Sequence, residues 1–439
     1  MEQPELRRRA LAAGCVGNLV EWYDFALYGA FATVIAATFF PGADPAGGLL
    51  AAFAVFGVAF LARPAGALLF AHYGDRLGRR RALAASILLM ALVTAAIGVL
   101  PGHASIGWLA AALLVLLRAG QGVAVGGEYG GSAAFVVEYA PADRRGWYGG
   151  WQWATVALGF AAGIATAALL SAALPGPALR GWGWRSAFLL ALPLGLVGRY
   201  IRLRTEETPG FRAVQRAGVT ARAPLAETMR TARRQVAVGF ALVAAVTATF
   251  NLLFVFLPGH LATTGRVPLP RALAAALAGL LAAACVAPVA GRISDRVGRR
   301  PVLLAGVVAL LLLTVPAFSL ARQGENGGLL LGYTLVGLAL GTLVPSSFLA
   351  ELFPTRLRYS GLSLTYGLAS AIVGGTAPAL ATLLVRRTGE GLAPAWYATC
   401  VTAVALVAVL LAPETVRRPL DEGISPLAGD AGSPGRLGG

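Results

Sequence analysis

The sequence predicts an all-α membrane protein in which twelve transmembrane helices form two pseudo-symmetric six-helix bundles. Three observations carry this. Of 439 residues, 57% are hydrophobic and 13% charged, against roughly a quarter charged in soluble domains. Apolar stretches long enough to span a bilayer, about 20 residues each, recur from Gly14 to Leu411 with short polar breaks. Finally, DRLGRRR, which starts at Asp75 after the second stretch, returns as DRVGRRP at Asp295 after the eighth, an offset of 220 residues. An offset near half the chain length marks an internal duplication.

Taken in order, helices are expected near 14–40, 49–71, 82–100, 106–139, 149–173, 186–203, 235–258, 271–292, 301–321, 329–351, 359–385 and 394–412. Burying twelve such segments inside a soluble enzyme would need a polar shell that this composition does not supply. The first segment has a basic flank but no small-residue cleavage site before Trp22 and Asp24, so it reads as a retained helix and not a signal peptide. Cys15, Cys285 and Cys400 all fall in apolar helices, without disulfide or metal-ligand spacing. The expected organisation is a bundle at 1–203, a cytoplasmic linker at 204–234, a second bundle at 235–412 and a disordered cytoplasmic tail at 413–439, which is Gly- and Pro-rich.

Charge placement sets the expected orientation. All 36 basic residues are arginine, and the formal net charge is +16. Alternate loops on one side carry 25 of them, and the opposite loops carry 7: Arg180, Arg185, Arg266, Arg271, Arg322, Arg386 and Arg387. The positive-inside rule makes the richer side cytoplasmic, with both termini there. Short clusters at helix ends also account for the basicity without a nucleic-acid partner.

In the duplicated loop the Gly turns the chain tightly and the Arg residues anchor at the interface. The Asp can cap a helix N-terminus or pair with Arg in an inward gate. The loop resembles the signature of the major facilitator superfamily. Its usual opening Gly is Gly291 in the second copy and Ala71 in the first. Finer motifs resemble the metabolite:proton symporter family over about residues 14–415: GNLVEWYDFALYG with Asn18, Glu21, Trp22, Asp24 and Phe25; ARPAG with Arg63; RAGQGVAVGGEYGG with Arg118, Gln121 and Glu128; GWRSAF at Trp184; EETP at Glu207; and ELFPTRLRYSG from Glu351. The resemblance implies the major facilitator fold and carriage of solutes such as proline, betaine, shikimate, citrate or 2-oxoglutarate. It also implies that the first and fourth helices line the cavity.

Ionisable groups inside a bilayer are costly and are functional candidates by default. At a rise of about 1.5 Å per residue, Asp24 lies roughly 15 Å into its helix, and Arg63 and Arg118 lie roughly 18 Å from the ends of theirs. All three therefore reach the midplane, where transporter sites sit. Asn18, Glu21, Phe25 and Tyr28 share one stripe, with Asp24 about 60° aside. Arginine can grip a carboxylate through two parallel hydrogen bonds, so Arg63 and Arg118 are expected to favour a carboxylate-bearing solute, joined by Gln121, Tyr28, Asn251 and Tyr366. Phe254, Ser346 and Ser347 are further candidates in the second half. For proton coupling the order is Asp24, then Glu21 and Glu128, since burial disfavours the charged form of a carboxylate. The plainer alternative is that these charges only pair with one another and hold helices together. Asp75, Arg76, Arg79, Asp295, Arg296, Arg299 and Glu351 are assigned to the gate.

The expected function is thus proton-coupled symport of a small organic solute by alternating access in the cell membrane. There is no phosphate-binding GxxxxGK[ST] loop, no cofactor, and no nucleophile–base or metal-ligand set for an enzyme. Solute, protons and lipid are the expected partners, and the carrier is expected to be monomeric. An exporter or uniporter of amphipathic compounds, or a membrane solute sensor, are the competing readings.

Overall fold

The computed structural model describes residues 3–42, 44–77, 79–126, 128–203 and 224–416, without the side chains of 3–10, 12–14, 71–83, 224–226 and 355–356. Ten helices are long and apolar enough to cross a bilayer. A bent pair makes an eleventh span, and the shorter apolar helix Ala84–Val99 belongs to the twelfth.

The first bundle comprises α1 (Gln3–Ala30, continued by Ala32–Phe39), α2 (Pro45–Leu77), α3 (Arg79–Val99), α4 (Trp108–Val125 and Glu128–Tyr139), α5 (Arg145–Ala173) and α6 (Gly176–Leu203). The second comprises α7 (Arg233–Thr263), α8 (Leu269–Val297), α9 (Arg299–Gln323), α10 (Asn326–Thr342 and Pro345–Leu352), α11 (Thr355–Ala369, resuming at Ala377–Thr388) and α12 (Ala393–Leu410). The expected spans are all present, most of them longer by several residues, because polar residues continue the helices beyond the apolar core. Part of the expected linker, Pro224–Thr231, is helical, whereas 204–223 lies outside the described residues. Within the expected tail, Glu414 accepts hydrogen bonds from the backbone N–H groups of Arg299 and Arg300 at 2.8 and 3.0 Å, so at least these residues are held against α9.

The helices are interrupted where apolar periodicity gives no warning. The two parts of α1 meet at 64° beside Phe31. Single wide turns break α7 at Leu252–Phe256 and α11 at Ser370–Gly374. Such a turn leaves a carbonyl without its usual partner, and Asn251 answers this: its Nδ2 donates to Gly374 O at 3.1 Å and to Thr247 O at 2.9 Å.

Helices meet closely where glycine permits it. A Cβ on Gly122 would stand 1.9 Å from Ala59 O and one on Gly126 would stand 2.1 Å from Arg63 O, so α4 lies directly on α2. Between the bundles α5 packs on α8. A Cβ on Gly146 would stand 2.2 Å from Gly291 O, and one on Gly150 would stand 2.5 Å from Ala287 O. At the other end Phe53 of α2 faces Phe256 of α7 with ring centroids 6.2 Å apart, and Asp44 meets Arg386 at 3.4 Å. The bundles therefore touch at both ends and enclose what lies between them.

Candidate functional site

Two buried acid–arginine pairs involve the first bundle. Arg63 Nη2 of α2 donates to Glu21 Oε1 of α1 at 3.0 Å. The Arg63 guanidinium lies over the rings of Phe60, Phe25, Trp22 and Tyr366, 4.5, 5.0, 5.8 and 5.9 Å from their centroids. Tyr366 belongs to α11, so this pair sits on the seam between bundles. Aromatic faces attract a cation electrostatically and leave its hydrogen-bonding edge free.

The second pair is braced differently. Arg118 of α4 donates to Gln121 Oε1 at 2.6 Å and to Phe56 O at 3.3 Å, and lies 3.7 Å from Asp24 Oδ2. Gln121 Nε2 in turn donates to Asp24 Oδ2 at 2.7 Å and to Thr94 Oγ1 at 2.9 Å. Tyr28 lies against the Arg118 guanidinium, 4.3 Å from its ring centroid, and donates to Ala52 O at 3.1 Å. Every partner named here comes from the first bundle. The structure thus pairs Arg63 with Glu21 and Arg118 with Asp24.

Glu128 is held by Arg202 of α6, with both guanidinium Nη groups donating, and by Ser86 of α3 at 3.3 Å. Arg202, one of the 25 arginines on the richer side, is 4% exposed. Its position at a helix end hid its role, because periodicity says nothing about partners on another helix. Thr94 and Gln152 were also missed. Gln152 Oε1 of α5 accepts from Ser346 of α10, whose Oγ is 3.4 Å from the Tyr129 hydroxyl. The Tyr129 ring stacks on Tyr366 across the seam with centroids 3.5 Å apart. Asn251 lies instead between α7 and α11, as described above, and Ser347 packs against Gly149 of α5.

At the arginine-rich end, Asp295 closes the seam. Its carboxylate accepts from the backbone N–H groups of Gly146 and Trp147 at 2.7 and 2.9 Å, capping α5 of the opposite bundle, and pairs with Arg299 at 2.8 Å. The carboxylate thus caps a helix and pairs with an Arg at once, and the negative cap complements the positive end of the α5 dipole. Arg299 also makes two bonds to Glu351, both 3.0 Å, and Glu351 accepts from Thr415 at 2.8 Å. Arg358 of α11 reaches Glu138 of α4 at 3.1 Å. Arg296 is exposed. The side chains of Asp75, Arg76 and Arg79 lie outside the described residues.

A family model described as "Sugar (and other) transporter" matches residues 10–235 and 223–424. The proline/betaine transporter of Escherichia coli (strain K12) is 36% identical over 434 residues, covering 96% of this chain and 86% of that protein. The ectoine/proline transporter ProP of Corynebacterium glutamicum is 37% identical over 433 residues, covering 95% and 86%. Among solved structures, the proton:xylose symporter XylE bound to 6-bromo-6-deoxy-D-glucose aligns with a TM-score of 0.76 over 96% of this chain and 99% of that one, at 17% identity, a likeness of fold alone. Fold and relatives together define a multi-pass secondary transporter and not an enzyme. The chain belongs to the sugar (and other) transporter family, among the metabolite:proton symporters of the major facilitator superfamily.

Proposed function

We propose that the protein imports a small zwitterion bearing a carboxylate together with protons, by alternating access, and that Arg63 holds the carboxylate. The observation that carries this is Arg63 itself: it is 2% exposed, sits on the seam and is ringed by aromatic faces from both bundles, and among the described residues it makes a single bond, to Glu21, while its Nε has no partner. A guanidinium so placed offers a planar two-bond fork to one carboxylate. The relatives named for proline, betaine and ectoine support a zwitterion.

Asp24 and Glu21 are the two carboxylates at the right depth to take a proton. Glu128, gripped by Arg202, braces α4 against α6. Asp295, Arg299 and Glu351 form the gate at the arginine-rich end, with Asp75, Arg76 and Arg79 as their counterparts in the first bundle. That end faces the cytoplasm, each half of the chain moves as a bundle, and a monomer suffices. Thermal-shift titration of the purified protein with proline, glycine betaine and ectoine tests the reading, since a ligand stabilises the state it binds. At least one of these is expected to raise Tm in proportion to the logarithm of its concentration. Stabilisation by uncharged sugars and by none of the zwitterions would overturn it.

A further inference from the structure

The two buried pairs differ in what surrounds them. Asp24 and Arg118 are bridged by Gln121, which is anchored in turn by Thr94, and all their partners lie within one bundle. Glu21 and Arg63 share one hydrogen bond without a bridging side chain; among the described residues Glu21 Oε2 and Arg63 Nε are buried without partners, as are Asp24 Oδ1 and Arg118 Nε, so the pairs differ in bridging and in their neighbours. The seam passes beside them: Tyr366 faces Arg63, and Trp22, next to Glu21 in sequence, meets Phe250 of α7 with centroids 5.9 Å apart.

We propose that Glu21 is an internal stand-in for the solute's carboxylate: it holds Arg63 until solute arrives, and takes one proton when the solute displaces it. The inference rests on the reading of Arg63 as the carboxylate-binding group. One fork can grip one carboxylate in a planar two-bond geometry, so solute and Glu21 compete for it. A displaced, ionised Glu21 would be a buried charge without its partner, which is strongly unfavourable, and protonation removes that cost.

The other groups facing Glu21 do not replace Arg63. Arg202 of α6 is already engaged by Glu128 of α4. Glu128 is a like charge that already accepts from Ser86 of α3, and the phenols of Tyr129 on α4 and Tyr366 on α11 supply no positive charge. A small cavity in which Glu21, Ser86 and Glu128 meet Gly17 and the apolar residues Val20, Ile87, Met90, Ala124 and Val125 has room for about one water beside these three polar groups. The step balances. Two Arg63–carboxylate bonds form, the Arg63–Glu21 bond breaks, and one proton moves from water to Glu21. On the far side the proton returns to water and Glu21 recaptures Arg63 as the solute leaves, giving one proton per solute.

The test is the pH dependence of binding by the purified full-length chain, read by calorimetry with proline and glycine betaine as probes. Solute binding that needs a protonated Glu21 tightens as pH falls, so wild-type affinity is expected to drop about tenfold per pH unit on the alkaline side. Glu21→Gln is expected to bind equally well across that range, as tightly as the wild type at acid pH, and to take up no proton on binding. A retained tenfold slope in Glu21→Gln, or affinity below wild type at every pH, would overturn the proposal. If that variant does not fold, Glu21→Asp serves. The shorter carboxylate holds Arg63 less well, so alkaline affinity should exceed wild type while proton uptake persists, and alkaline affinity equal to or below wild type would count against the idea. A wild type that binds neither probe nor any other carboxylate solute sinks the proposed function as well, whereas a retained slope in Glu21→Gln sinks this inference alone.

Discussion

At the residue scale the chemistry rests on how each buried charge is answered. Arg118 and Asp24 are fully buried, and removing one member of such a pair leaves the other uncompensated at a cost of about 3–5 kcal/mol. Arg118→Met is therefore expected to lower the unfolding midpoint sharply, and Asp24→Asn added to it should restore much of the loss, as measured by thermal unfolding in detergent. Full additivity of the two losses would show that they do not interact. Arg63→Lys keeps the charge but not the planar fork, so solute affinity should fall at least tenfold, or about 1.4 kcal/mol, with little change in Tm. Equal affinity of Arg63→Lys and wild type by calorimetry would remove Arg63 from the site. Sequence placed Asp24, Arg63 and Arg118 at mid-depth from rise per residue and Glu21 on the stripe beside Asp24, but could not say which acid answers which arginine. Partners on different helices depend on helix rotation, and a helical stripe constrains that only to within one face.

At the element scale, bends and close approaches decide how the bundles can move. Gly146 and Gly291 bring α5 and α8 together at the arginine-rich end, where a Cβ on Gly146 would also stand 2.3 Å from Arg299 Nη1. Gly146→Ala should wedge that end apart and raise the alkylation rate of a cysteine placed at Ala350, which is fully buried. An unchanged rate would show that the seam does not open there. Asp295 caps α5 from the opposite bundle, so an opening at this end would break the cap and a closing would remake it. Asp295→Asn keeps an acceptor but loses the charge. It is expected to slow turnover several-fold in uptake assays while leaving calorimetric affinity within about twofold, since a charged cap is worth about 1 kcal/mol. Glu414 acts similarly on α9. Partial burial raises its pKa, but backbone N–H bonds from Val416, Arg299, Arg300 and Thr415 outweigh this and hold the group below the usual carboxylate range. Its hold is therefore present at neutral pH and lost only as pH falls through that lowered value. None of these contacts was legible in sequence beyond the repeated Asp–Arg loop, because each joins residues more than a hundred positions apart.

At the scale of the whole molecule the architecture was the most legible part. Twelve apolar stretches and one motif repeated at half the chain length were enough, because a bilayer leaves a spanning chain few options besides a helix whose backbone bonds are internal. The wide turns in α7 and α11 and the bend in α1 escaped, since they interrupt hydrogen bonding without changing hydrophobicity. The expected orientation rests on the arginine asymmetry alone, and on it single cysteines placed in 205–234 should react with impermeant maleimides only when the cytoplasmic face is accessible. Labelling from outside intact cells would reverse the assignment. The central claim is that solute and proton move together through the seam that holds Glu21, Arg63 and Tyr366. It is tested most directly in proteoliposomes, acidic outside and alkaline inside, supplied from outside with labelled proline or glycine betaine. The account predicts accumulation above the external concentration that collapses on adding a protonophore, and uptake that merely equilibrates, or accumulation that the protonophore leaves unchanged, would contradict it.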